Sequence, residues 1–377
     1  MDKTIRISEY FEHVGTEKEH NGYTYSVGRA LTIVILGSVC GLRNTSQIHQ
    51  WASHEKVKAF LYEHYGILSI PCYSWLLNLL HLINPKSLNE CFIKWAQSLL
   101  PYSLENLTIS IDGKTIRSTG KMDSYEKALH IVSAHVAELG LTIGQKTVSG
   151  KSNEIPAVRE LIELLNIKGC VVVADALNCH KKTAEAIIDG GGDYLLTVKG
   201  NQETLMNDIE DYVQDDDLRQ SMDSSSTHEL NRGRIEHRTA YTSNDVEWIP
   251  NKGKWESLTC FGAINRQVTE KDVTSNEWHY YISSRNLTSD ELLKYARNEW
   301  SVETMHYLLD IHYLEDFCRV EDANTQQNLN IVRKAALNSI KQYKANINSK
   351  LPLSKIMLNC LIDSNLILEV LGGSTQK

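Results

Sequence analysis

The stretch Cys170-Val-Val-Val-Ala-Asp-Ala restricts the fold of this chain more than any other. It is apolar without alternation, and a strand of that composition needs cover on both of its faces. A sheet with helices packed on two sides meets that need, which makes the architecture α/β. The run stops on a carboxylate, Asp175. A second stretch, Thr108-Ile-Ser-Ile-Asp-Gly-Lys-Thr115, alternates Ile109 and Ile111 with Thr108 and Ser110, and it predicts a strand ending at Asp112. Taken alone, Asp112-Gly113 suits the turn of a hairpin better.

The segments between these two complete a pattern. His130 to Glu138 and Leu141 to Val148 predict strands joined by the turn Leu139-Gly140. Glu154 to Leu165 carries apolar residues at helical spacing, and a helix over His180 to Asp189 precedes a strand at Tyr194 to Val198. The order β-β-β-α-β-α-β, three antiparallel strands and then parallel ones, is that of a ribonuclease H-like fold. Residues 1–104 read as an all-helical N-terminal domain for DNA binding or dimerisation. The catalytic core then spans 105–223 and resumes over 286–345, around a β-rich insertion at 224–285. Residues 346–377 form a C-terminal helix and tail. From Ser289 a helix is expected to run through Tyr307 and beyond.

Composition removes several classes of function. The formal net charge of -8 over 377 residues excludes a uniformly basic coat but leaves room for a local basic groove. The eight cysteines form no Cys-x-x-Cys pair, so a zinc knuckle is not expected and reduced, buried thiols are. The longest apolar run, Ala30 to Leu42, is too short for a membrane span. A cytoplasmic protein, associated with the nucleoid and not with membrane, is the expectation.

Two core strands that end on aspartates would bring two carboxylates together if the strands are neighbours. Such a pair stays ionised only beside a cation. Oxygen ligands with room for water suit Mg²⁺ or Mn²⁺. Two such ions, roughly 4 Å apart, can activate a hydroxyl and stabilise the leaving oxygen of a phosphodiester. A third acid is sought in Ala296-Arg-Asn-Glu-Trp-Ser-Val-Glu-Thr-Met-His-Tyr-Leu-Leu-Asp310, where a helix would place Glu299, Glu303, His306 and Asp310 on one face. An exposed charged face would explain the same spacing.

Several motifs, in order, resemble one family. They are Ser110-Ile-Asp-Gly-Lys-Thr-Ile-Arg, His130-Ile-Val-Ser-Ala, Lys151-Ser-Asn-Glu-Ile, Val172-Val-Ala-Asp-Ala and Tyr194-Leu-Leu-Thr-Val-Lys-Gly-Asn-Gln. Arg232-Gly-Arg-Ile-Glu-His-Arg, Tyr280-Tyr-Ile-Ser-Ser and Trp300-Ser-Val-Glu-Thr-Met-His-Tyr-Leu-Leu-Asp continue the series. The chain is similar over about residues 20–345 to the ISAs-type insertion-sequence transposases, the group of the H-repeat-associated proteins. The resemblance implies a DDE transposase with Asp112, Asp175 and Glu303 as catalytic acids and as ligands of two Mg²⁺ or Mn²⁺ ions per active site. It implies binding of terminal inverted repeats and target double-stranded DNA, cleavage, and strand transfer by a homodimer. A stand-alone nuclease and a domesticated DNA-binding protein are the alternatives.

The expected DNA contacts are Lys114, Arg117, Lys199, Asn201 and Gln202 near the strand ends, with His306 beside the third acid. Arg232, Arg234 and Arg238 would line one face of a strand in the insertion. Trp255 and Trp278 suit packing better than stacking on a flipped base. The basic residues of many related transposases around the third acid are replaced here by Glu299 and Asp310.

Overall fold

The structure is a computed structural model that describes residues 7–16, 25–116, 128–148, 154–231, 233–271, 273–318 and 320–372. Helices α1 (Ile7–Phe11), α2 (Val27–Val39), α3 (Thr45–Ala52), α4 (Glu55–Tyr65), α5 (Tyr73–Leu82) and α6 (Pro85–Ser98) come first. Local chemistry sets their starts. Asn44 caps α3 by accepting from the Gln47 amide. Asn84 caps α6, and Pro85 occupies the first helical position, where its missing N–H costs nothing.

Strands β1 (Thr108–Thr115), β2 (His130–Val136) and β3 (Leu141–Val148) pair antiparallel. Helix α7 (Glu154–Glu163) leads to β4 (Val171–Ala174), which lies parallel to β1, and α8 (Lys181–Asp189) leads to β5 (Asp193–Val198), parallel to β4. The three antiparallel strands followed by parallel ones are therefore present as expected. β4 is buried on both faces. Val172 and Ala174 join the core beneath α7, α8 and α9 (Glu203–Gln214), whereas Val171 and Val173 pack with residues of α11 (Ser289–Asn298).

After α10 (Asp216–Gln220), strands β6 (Asp223–Asn231), β7 (Arg234–Ser243), β8 (Cys260–Glu270) and β9 (Val273–Ser283) form a meander. It does not fold apart from the core. β9 pairs antiparallel with β5, and the result is one nine-stranded sheet of order β3-β2-β1-β4-β5-β9-β8-β7-β6. Trp255 is buried in the core beneath this sheet, and Trp278 packs against it.

The helix expected to continue from Ser289 is broken. α11 ends at Asn298, and α12 (Ser301–Tyr313) starts afresh, followed by α13 (Ala323–Asn346), α14 (Leu353–Ile362) and α15 (Ser364–Val370). Helices α12–α15 share one apolar core with the N-terminal helices, in which Val302, Met305, Leu309 and Ala335 meet Leu31, Leu36 and Leu79. Arg333 and Lys334 are buried because α13 runs through the middle of the molecule. Among the described residues no helix is long and apolar enough to cross a membrane.

Gly262 on β8 tests how tightly α11 lies on the sheet. A β-carbon there would fall 2.7 Å from the Tyr241 carbonyl oxygen and 2.7 Å from Leu292. The carbonyl belongs to the neighbouring strand and cannot give way cheaply. Gly262→Ala is expected to lower stability by about 1–3 kcal/mol, read by urea denaturation.

Candidate active site

Alternation along β1 sends Ser110, Asp112 and Lys114 to one side and Ile109, Ile111 and Gly113 to the other. The first set faces the α11–α12 junction and α12. Ser110 Oγ donates to the Glu299 carbonyl at 2.6 Å, and Lys114 Nζ reaches Asp310 at 2.7 Å. The second set faces α7, with Ile109 and Ile111 in the core and Gly113 against Glu154. Asp112 does not end the strand. Pairing with β2 continues through Thr115↔His130, while the parallel pairing with β4 stops at Ile111↔Ala174. The hairpin alternative is thereby excluded. Asp112 and Asp175 occupy the next position on each of these two neighbouring strands.

Crowding shows in their chemistry. Burial, and then the Asp175 charge, push Asp112 up to about 7, with Glu154 and Glu303 adding to the effect. Burial also raises Asp175, and Glu154 adds to it. Hydrogen bonds from Asn178 and the Lys199 charge oppose the rise. Glu303, in the first turn of α12, is raised by burial. Glu299 is a further acid of the cluster: it closes α11, accepts from Thr197 Oγ1 at 3.3 Å, and is pushed to about 7 by burial and then by Asp175. The expected single helical face of Glu299, Glu303, His306 and Asp310 is therefore interrupted. Ser110 takes the Glu299 carbonyl at the helix break, and Glu299 turns toward β5.

The residues expected to meet DNA separate into groups. Lys114 Nζ is held by Asp310 at 2.7 Å, by Glu315 at 3.4 Å and by Asp316 at 3.7 Å, so three carboxylates share its charge. Leu314, with φ of 51°, turns the chain back so that Glu315 and Asp316 reach it. His306 lies beside Asp112. It is 8% exposed, with Nδ1 3.6 Å from Asp112 Oδ2, Nε2 without a hydrogen-bond partner among the described residues, and a pKa well below the ordinary range through burial. Asn201 Nδ2 donates to the Ala176 carbonyl at 2.6 Å and Gln202 Nε2 to the Cys179 carbonyl at 2.9 Å. These two amides brace the loop that follows Asp175. Lys199 remains exposed beside it. Arg234 pairs with Glu270 at 2.8 Å, and Glu236 lies between Arg238 and Arg266, 2.6 Å from each, so the arginine face is partly neutralised. Arg117 and Arg232 lie outside the described residues.

Residues 104–339 match the family described as "Transposase DDE domain", and residues 8–96 match a domain associated with it. The chain belongs to the DDE transposase family. It is 30% identical to the Escherichia coli K12 H repeat-associated protein YhhI over 98% of this chain and 99% of that protein. YbfL of the same organism is 34% identical over 81% of this chain and 82% of its own length. YncI of Escherichia coli O157:H7 is 30% identical over 90% of this chain and 88% of its own. Among solved structures, the piggyBac transposase in a synaptic complex with hairpin DNA overlaps with a TM-score of 0.49 and 12% identity, over 98% of this chain and 80% of that one.

DDE transposases generally use divalent metal ions. Among the described residues no group of three or more His, Cys, Asp or Glu side chains lies close enough together to hold one. The donors fit such an ion in kind. They are carboxylates whose ionised forms burial and mutual repulsion disfavour, and a hard cation relieves both.

Sequence reasoning did not single out Glu154, His130 or Asn178 as site residues. Glu154 and His130 were visible only as members of family motifs, and Asn178 had no signal at all.

Two measurements follow from this geometry. Between 3.8, its ordinary value, and about 7, Asp112 keeps a proton that the unfolded chain has released. Its contribution to stability is complete below that window, is lost as pH rises through it, and stays lost above. In EDTA at pH 8, Asp112→Asn is expected to melt roughly 1–3 °C above the parent, with the gap closing toward pH 4. Equal melting temperatures at pH 8 would refute the assignment. Lys114→Met leaves the buried Glu315 without its cation, and a loss of about 3–5 kcal/mol is expected in urea denaturation, partly recovered in the double variant with Glu315→Gln.

Proposed function

We propose that this chain is an active transposase that cleaves the ends of its insertion sequence and joins them to target DNA. Asp112, Asp175 and Glu303 are its catalytic acids. One observation carries the reading: Asp112 and Asp175 follow the last parallel pair of β1 and β4, and each is raised in a way that a bound cation would reverse. We read β1 to β5 as the ribonuclease H-like core, the meander as an insertion ahead of the third acid, and residues 1–104 as the DNA-binding or dimerising helical part.

Asp112, Asp175 and Glu303 would hold two Mg²⁺ or Mn²⁺ ions, which supply an activated hydroxyl at neutral pH and charge for the leaving oxygen. The protein's own residues position the reaction. α12 carries Glu303 toward β1, and Asn178 aims Asp175. An open cleft of ≈ 840 Å³ beside Glu299 is lined by Lys199, Arg238, Arg266, Trp300 and Thr304, and the DNA backbone would pass along it. Terminal repeats would be bound by a homodimer, which holds two ends.

The decisive assay uses the full chain with DNA from the ends of its own element, pre-cut and uncut, in Mg²⁺ or Mn²⁺. The parent should cut and join. Asp112→Asn, Asp175→Asn and Glu303→Gln should each lose at least about 10³-fold while still binding end DNA. Cutting without joining would make the protein a nuclease. Binding without metal-dependent cutting would make it a domesticated DNA-binding protein. Undiminished cutting by Asp112→Asn would remove the site assignment.

A further inference from the structure

A second polar cluster lies behind β1, on the side away from α12. Glu154 opens α7 and is 2% exposed. Its Oε2 lies 2.8 Å from His130 Nε2, and its Oε1 accepts from Asn178 Nδ2 at 3.2 Å. The same Asn178 Nδ2 donates to Asp175 Oδ1 at 2.9 Å, and the Asn178 backbone N–H reaches that oxygen at 3.3 Å. At the other end, His130 Nδ1 is 2.8 Å from Thr115 Oγ1 on β1. An unbroken chain of contacts thus runs from Asp175 through Asn178, Glu154 and His130 to the end of the Asp112 strand. Gly113 leans on its middle. A β-carbon there would fall 2.6 Å from both Glu154 Oε2 and His130 Nε2.

Stability alone explains this cluster poorly. Burying a polar or charged pair is often no better than burying apolar side chains of the same volume. Here the acid also sits where its charge works against Asp112 and Asp175. What the cluster supplies is geometry, since it ties both carboxylate-bearing segments to the first residue of one helix.

We infer that Glu154 is a positioning residue: through Asn178 it sets the orientation of the Asp175 carboxylate, and through His130 it sets the path of the Asp112-Gly113 backbone. The inference rests on the reading of Asp112 and Asp175 as ion-holding acids. Partners of this sort behind a metal ligand are worth about 10–100-fold in metal affinity or activity.

The test measures Mn²⁺ affinity by electron paramagnetic resonance of free Mn²⁺ on the full-length protein, with circular dichroism to show that each variant is folded. End-DNA affinity and turnover are measured beside it. Glu154→Gln is expected to bind Mn²⁺ about 10–100-fold more weakly and to turn over more slowly, with end-DNA affinity within about twofold of the parent. Adding His130→Asn to it should cost less than about twofold more, because both act through one chain of contacts. Should Glu154→Gln fail to fold, Asn178→Ala, which leaves the Glu154–His130 pair in place, is expected to show the same selective loss. Parental Mn²⁺ affinity in a folded variant, when the parent binds and Asp112→Asn does not, would overturn the inference alone. A parent that binds Mn²⁺ no better than Asp112→Asn would overturn the underlying reading of the acids.

Discussion

Lys114 Nζ meets Asp310, Glu315 and Asp316 at the place where α12 ends and the chain turns back toward α13. Much else depends on that contact. One side of α12 is apolar: Val302, Met305, Leu309 and Tyr313 sit in the helical core built from both ends of the chain. His306 and Asp310 face β1 instead. The lysine therefore fastens a helix of one core to a strand of the other. Glu315 is 1% exposed, and Asn330 of α13 donates to its Oε1 at 2.7 Å, so the fastening extends into the central helix. Buried charges of this kind specify position at a cost in desolvation. The return is that Glu303, near the start of α12, has a fixed relation to Asp112.

The sheet adds a second constraint. The insertion could have folded as a separate lobe; it instead pairs through β9 with β5 and continues the core sheet. From β9 the chain passes directly to α11, which packs over β4 and β8. The Glu299 turn is thus anchored from two directions, by Ser110 on β1 and by Thr197 on β5. Arg234, Arg238 and Arg266 of the meander are matched against Glu236 and Glu270, so this part of its surface is less basic than a count of arginines implies. That is consistent with a chain whose formal charge is -8.

Pattern carries information about exposure and local geometry, and those parts of the fold were legible. The unbroken apolar run before Asp175 required cover on both faces, and β4 has it. Alternation located the starts of β1 and β2 and both ends of β3, although it stopped β1 at Asp112 where the strand runs on to Thr115, and it marked the meander only as a β-rich segment. The break between α11 and α12 was not legible. It depends on a serine hydroxyl far away in the chain that takes the Glu299 carbonyl, and no local propensity reports such a partner. The same limit explains Lys114 and His306. A basic side chain beside an acid, at a strand end or on a helix, reads as a phosphate contact, and only the packing of α12 reveals that Lys114 is paired with carboxylates and that His306 is buried.

The sequence by itself determined the α/β class, the order of the core strands along the chain, and the presence of Asp112 and Asp175 near the ends of two of them. Those follow from periodicity and from residue types, which act locally. That these strands pair was decided by the tertiary structure. The tertiary structure alone decided which charges face one another. It set Glu299 among the acids, closed three carboxylates around Lys114, and threaded Asn178, Glu154 and His130 into one chain of contacts behind the two aspartates. Side-chain electrostatics depends on distance and burial between residues remote in sequence, and neither exists until the two cores have packed.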